Sequence, residues 1–177
     1  MKKLFVAIAF SLVSTIASAM QPLPAGAGYE VGFSPNGNAL DVVVKGINSA
    51  RASILVAAYT FTSKPIAVAL VEASRRGVKV AVVADRAQNS KSYSAVRFLA
   101  NQGVPVRLNG NYQDAHDKFM VIDGQHVETG SFNYSAAAAR KNAENVVLLW
   151  NVRPIADQYA AEWQRLWSEG SEFKPAY

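Results

Sequence analysis

Apolar residues along the chain fall into two periods. Leu40, Val43, Val44 and Ile47 recur at helical spacing and predict a helix over 39–50. Ile66, Leu70 and Ala73 repeat that spacing over 65–76, and Gly77 closes the segment. Between these stand continuous apolar runs, 53–59 (SILVAAY) and 78–84 (VKVAVVA). Runs without alternation predict strands covered on both faces. A further helix is expected over 92–102, ended by Gly103, and a third strand over 104–108. With a first strand over 29–33, the alternation predicts an α/β fold: a single domain with a mixed, largely parallel sheet flanked by helices.

After residue 116 the pattern changes. Two short strands, 117–122 and 126–129, are joined at Asp123-Gly124, a strong hairpin dipeptide. An alanine-rich helix is expected over 135–140, a buried strand over 145–150 (NVVLLW) and a closing amphipathic helix over 154–167. The tail 171–177 is expected to fray.

The N-terminus reads as a separate device. Lys2 and Lys3 precede an apolar run from Leu4 to Ile16, and Ala17-Ser18-Ala19 supplies small residues for cleavage. The run is shorter than the roughly 20 apolar residues of a bilayer span. The expected organisation is a secretory signal at 1–19, a leader at 20–28 and one domain at 29–170, the protein being secreted or periplasmic after cleavage near Ala19. Loss of Lys2 and Lys3 takes the formal net charge from +5 to +3, a mild bias towards polyanions. The absence of cysteine excludes a thiolate nucleophile and a cysteine zinc site, and only two histidines, His116 and His126, are present. No metal and no cofactor are expected.

Chemistry concentrates in HDKFMVIDGQHVETGSFN, residues 116–133. In extended chain, alternate side chains share a face, so His116 and Lys118 point the same way. A phosphate before them meets an imidazole and a fixed positive charge together. Gly130 permits close backbone approach before Ser131 and Asn133, whose hydroxyl and amide can donate to phosphate oxygens. Asp123 has the opposite parity and sits in the turn, which suits it to holding that turn or pairing with a basic residue. For Glu144, two partners are open: a ring nitrogen of His116, or a salt bridge to Arg140 or Lys141. His126 reads as a partly exposed strand residue rather than an acid–base partner. Arg140, Lys141, Arg86, Lys91 and Tyr93 are possible flanking contacts or plain surface residues. Phe61 and Thr62 suit either the rim of a site or core and turn.

The same residues read H-x-K-x4-D-x6-G-S-x-N, which resembles the signature of the phospholipase D superfamily. The stretch AAYTFTSKPIAVALVEASRRGVKVAVVAD, 57–85, looks like the first β-α-β unit of that superfamily, and Glu144 falls where members carry a glutamate. In size and layout the chain is similar to the small secreted bacterial endonucleases of the group. The resemblance implies metal-independent hydrolysis of nucleic acid phosphodiesters through a phosphohistidine at His116. Lys118, Asp123 and Glu144 complete the implied catalytic set, and Ser131 and Asn133 bind substrate. A lipid phosphodiesterase or transphosphatidylase is the alternative, although nothing after the signal has the composition of a membrane-binding segment. Family phospholipases carry two motifs and this chain carries one. A second imidazole for the leaving group therefore implies a homodimer with a shared site on its two-fold axis.

Overall fold

The computed structural model describes residues 20–174, so the expected signal segment and the last three residues lie outside the described residues. Strand β1 (Gly28–Ser34) leads into helix α1 (Ala39–Ser49). Strand β2 (Ser53–Ala58), helix α2 (Lys64–Arg75) and strand β3 (Lys79–Asp85) form a β-α-β unit. Next come a one-turn helix, α3 (Arg86–Asn89), helix α4 (Ala95–Asn101) and strand β4 (Val106–Asn109). The second half holds β5 (Phe119–Ile122), β6 (His126–Gly130), α5 (Ala136–Arg140), β7 (Glu144–Trp150), α6 (Arg153–Glu169) and β8 (Ser171–Glu172).

All eight strands join one mixed sheet in the order β1-β7-β6-β5-β2-β3-β4-β8. Only β2–β3 and β3–β4 pair in parallel; the other neighbours are antiparallel. The parallel part is thus smaller than the alternation in the first half implied. A parallel crossover needs a dozen or more residues, and the β5–β6 link, 123–125, is too short to supply one, while β7 returns antiparallel to β6 even though α5 lies between them. Two further details correct the sequence reading. The helix expected over 92–102 starts only at Ala95, with α3 before it. The tail does not fray at residue 171, because β8 pairs with β4 and the Phe173 N–H donates to the Val106 carbonyl.

The sheet separates two cores. Ile54, Val56, Val82, Met120 and Ile122 face α1, α2 and α4. Ala57, Val83, Phe119 and Val121 face α6, whose Trp163 and Leu166 cover them. Burial on both faces explains why β2 and β3 read as unbroken apolar runs.

Asp123 and Gly124 both have positive φ, 54° and 63°, and the Gln125 N–H donates to the Ile122 carbonyl, which makes a tight hairpin turn. The Asp123 carboxylate also accepts from the backbone N–H groups of Arg51, Ala52 and Ser53, at 3.0, 2.7 and 3.0 Å. It therefore clamps the start of β2 to the hairpin. Burial raises its pKa, but these N–H groups and nearby His126 outweigh that, and the net shift is downward.

A second polar device lies inside the first core. Glu128 is 1% exposed, and its Oε2 accepts from the Tyr134 hydroxyl at 2.7 Å. Desolvation pushes its pKa up to about 8, against a smaller opposing effect of the tyrosine bond. Tyr134 is itself buried, edge-on to Phe61 at 5.5 Å, and its carbonyl accepts from Thr62 and Ser63 at 2.8 Å each. Glu128 thereby anchors the joint between the segment after β6 and the segment after β2.

Two outcomes follow for stability. Asp123→Asn, which tolerates the positive φ, should cost about 1–3 kcal/mol in urea unfolding at neutral pH. That deficit should shrink on acidification through the lowered carboxyl pKa, where the wild type loses the same anion. Glu128 ionises near 4.5 when unfolded and near 8 when folded. Wild type should therefore lose stability relative to Glu128→Gln as pH rises across that window, by up to about 1.4 kcal/mol per unit. A difference independent of pH would show that Glu128 is ionised in the fold.

Candidate active site

The C-terminal ends of the parallel strands are where open α/β sheets place ligands, and the motif residues gather beside the end of β2. His116 and Lys118 lie in the segment just before β5, which begins only at Phe119. Extended alternation holds there all the same. His116 is exposed, whereas Lys118 is 7% exposed. Lys118 Nζ donates to the His116 carbonyl at 2.6 Å and lies 3.1 Å from His116 Nδ1. The ammonium also sits 5.1 Å from the centroid of the Tyr59 ring, and the Tyr59 and His116 rings are 4.4 Å apart. Burial lowers the Lys118 pKa, while Asp117 and Glu144 draw it back in part.

The second half of the motif forms the other wall. A Cβ on Gly130 would lie 2.2 Å from the Asn145 carbonyl oxygen, so only glycine lets β6 run this close to β7. The Ser131 hydroxyl donates to Glu144 Oε2 at 2.6 Å and accepts from the Asn145 N–H and side-chain amide at 3.1 and 3.2 Å. Asn133 Oδ1 accepts from the Thr60 N–H at 3.5 Å, tying this turn to the segment after β2. Among the described residues the Asn133 amide NH2 makes no hydrogen bond, so it stays available as a donor.

Three expectations change. Glu144 touches neither His116 nor a basic side chain: its oxygens accept from Ser131 and from the Asn142 amide at 2.9 Å. Both partners left open by the sequence are therefore replaced by neighbours in the β6–β7 turn region. The Ser131 hydrogen is engaged by Glu144 rather than free for a phosphate. Asp123, grouped by the motif with the catalytic set, sits at the opposite end of β5 and holds the fold.

His126 also lies away from the site, at the hairpin end of β6. Its Nδ1 accepts from the Asn151 N–H at 2.9 Å and its ring meets Trp150 edge-on at 4.9 Å. Of the remaining expected residues, Phe61 is core, and Arg86 bonds the Leu108 carbonyl and the Ser171 hydroxyl. Lys91, Arg140 and Lys141 are exposed.

Tyr59 is the residue that sequence reading missed. Its hydroxyl donates to Asp114 at 2.8 Å and accepts from Gln88 at 3.1 Å, and the Asp114 bond raises its pKa. Asp85 supports the same wall, accepting from the Gln88 and Ala115 N–H groups. An aromatic residue directly after a buried parallel strand was the available signal.

An exposed imidazole backed by a desolvated ammonium suits an anionic substrate. The positive charge is fixed by three contacts, and the imidazole is reachable. Among the described residues no group of three or more His, Asp and Glu side chains gathers as a metal site would require.

Comparison with known proteins agrees with this geometry. Residues 43–167 match the family described as cardiolipin synthase, PLD-like domain. The phospholipase D of Rickettsia bellii is 34% identical over 131 residues, a match covering 74% of this chain and 65% of that protein. The chain thus spans just under two thirds of that relative. Among solved structures, the phospholipase D family member Nuc from Salmonella typhimurium is 41% identical with a TM-score of 0.82, covering 84% of this chain and 99% of Nuc. NucT from Helicobacter pylori is 26% identical with a TM-score of 0.76, covering 83% of this chain and 99% of NucT. A family match over most of the chain, together with a solved relative that it overlays almost end to end, makes this chain a member of the phospholipase D-like family.

Proposed function

We propose that the protein is a phosphodiesterase that cleaves nucleic acid internally, with His116 as nucleophile and Lys118 as the fixed positive charge. The observation that carries the chemistry is the exposed His116 imidazole with the buried Lys118 ammonium 3.1 Å from its Nδ1. The preference for nucleic acid over lipid rests on likeness and on charge. Nuc matches over 99% of its length, whereas the protein named phospholipase D matches over 65% of its own. Among the described residues no helix is long and apolar enough to cross a membrane. The net positive charge and a site at an open sheet end suit a polyanion.

In the proposed reaction a His116 ring nitrogen attacks phosphorus and a P–N bond forms as the P–O bond to the leaving oxygen breaks. Lys118 and the Asn133 amide stabilise the charge on the phosphoryl oxygens. The leaving oxygen takes a proton from a second imidazole. Water then attacks the phosphohistidine, gives its proton back to that second imidazole and frees His116.

One subunit offers one imidazole at this site, with His126 held at the other end of β6. Among the described residues no carboxylate hydrogen-bonds His116 either. Both points support a homodimer in which a second copy brings its own His116 across a two-fold axis.

Plasmid DNA and phospholipid vesicles, offered separately, test the substrate class. Plasmid should be cut and vesicles left intact; the reverse result would replace this reading with the lipid one. His116→Asn should reduce kcat by about 10^4-fold or more, and Lys118→Ala by about 10^2–10^3-fold, with unchanged unfolding midpoints. Wild type co-refolded with an equal amount of His116→Asn should keep about half its activity per wild-type subunit, because mixed dimers are inactive. Undiminished activity would rule out a shared site. Cleavage should also persist in EDTA, since Lys118 supplies the charge that a metal would otherwise provide. Loss in EDTA with recovery in magnesium would overturn that role.

A further inference from the structure

A cleft of about 410 Å³ runs between α2 and α4 and is separate from the His116 site. Its lining combines apolar and cationic groups, among them Thr62, Lys64, Val68, Tyr93, Arg97 and Phe98. Tyr93 is 67% exposed, Phe98 42% and Val68 40%, so this end of the molecule leaves a large aromatic surface in water. Such clustering marks a binding surface more often than scattered apolar residues do. Lys64 is exposed and, among the described residues, makes no ion pair. Arg97 packs over Phe173 at 5.5 Å, and its Nε is buried without a hydrogen-bond partner.

The cleft is joined to the site by a short rigid segment. Tyr59 packs on His116, the Thr60 N–H is held by Asn133, and Phe61 pairs with Tyr134 in a parallel bridge. The next residue, Thr62, lines the cleft. Two residues separate Tyr59 from Thr62, so three steps of chain span at most about 10 Å when extended. Lys64 lines a second, smaller hollow as well, together with Arg140, so the cations continue past the mouth of the cleft.

We propose that the α2–α4 cleft is a subsite for one unpaired base of the nucleic acid strand flanking the scissile phosphate, with Tyr93 as its stacking platform and Lys64 on the adjoining backbone phosphate. The inference rests on the nuclease reading above and goes beyond it by naming how the strand is held. An exposed tyrosine ring accepts any base by its face, and a neighbouring cation serves the phosphate. A base within a duplex stays in its stack and must be unpaired to enter a cleft between helices. An acyl chain fits the lining less well, because Lys64 and Arg97 would each face hydrocarbon. Charge complementarity therefore favours the nucleic acid strand.

The test compares full-length wild type, Tyr93→Ala, Tyr93→Phe and Lys64→Ala on three substrates. These are a single-stranded oligonucleotide, the same sequence as a duplex, and bis(p-nitrophenyl) phosphate. Tyr93 is a surface residue, and an unchanged unfolding midpoint will show that its replacement folds. Tyr93→Ala should raise KM for the single strand by about tenfold with kcat nearly kept. The ratio of kcat/KM on the single strand to that on the small diester should fall by the same factor. Tyr93→Phe should restore it, since the ring face is what stacks. Lys64→Ala should weaken the single-strand KM and flatten its salt dependence. Equal losses on all three substrates, or no loss on the single strand, would overturn the subsite. With phosphatidylcholine vesicles offered as a further substrate, a Tyr93→Ala defect confined to them would also overturn it and assign the cleft to an acyl chain. If wild type hydrolyses the small diester but no nucleic acid, it is the nuclease reading that fails, and the subsite falls with it.

Discussion

A hydroxyl-to-carboxyl bond inside the first core holds the two halves of the site in register. Tyr134 follows the motif turn, and its hydroxyl is fixed by Glu128 on β6. Its carbonyl takes the N–H groups of Thr62 and Ser63, and its ring meets Phe61. The antiparallel half, which carries the motif turn, is thereby bound to the parallel half, which carries Tyr59. A buried carboxyl is tolerated at this point because desolvation pushes its pKa up to about 8, which favours the neutral acid over a buried charge. The bond it makes is directional, unlike the apolar packing around it, and so it sets the relative position of the two loops.

That register is what lets Lys118 act as a fixed charge. An ammonium at 7% exposure loses most of its water, and stays charged only if other groups replace that solvation. The His116 carbonyl and the Tyr59 ring face do so, and His116 Nδ1 lies within 3.1 Å. Tyr59 is held in turn by Asp114 and Gln88. The charge thus sits in a partly dry place directly behind an exposed imidazole, where an arriving phosphate meets it with little solvent rearrangement. On the far wall, Glu144 shapes the β6–β7 turn by gripping Ser131 and Asn142.

The end of the sheet that carries this chemistry is open, and its surroundings suit an extended polyanion. Lys64 and Arg140 lie along one side, and the aromatic cleft opens beyond Thr62. The proposed dimer would close the other side with a second copy of the same imidazole and ammonium. Duplication by symmetry then does what a second motif would do within one longer chain.

The order of helices and strands was legible because burial on both sheet faces removes alternation from β2 and β3, and helical spacing survives in α1 and α2. His116 and Lys118 were legible because a two-residue step fixes a shared face whether or not the ladder reaches that far. The turn role of Asp123 followed from its parity and its glycine neighbour. The partners of Glu144, the engagement of Ser131, the contribution of Tyr59 and the pairing of β8 were not legible. Each depends on which segment the fold lays alongside, and residues far apart in sequence carry no local mark of that. Local chain geometry therefore determined the elements and the imidazole–ammonium pair. Long-range packing alone decided the antiparallel majority of the sheet and the Glu128–Tyr134 joint, because loop lengths and core complementarity act across the whole chain at once.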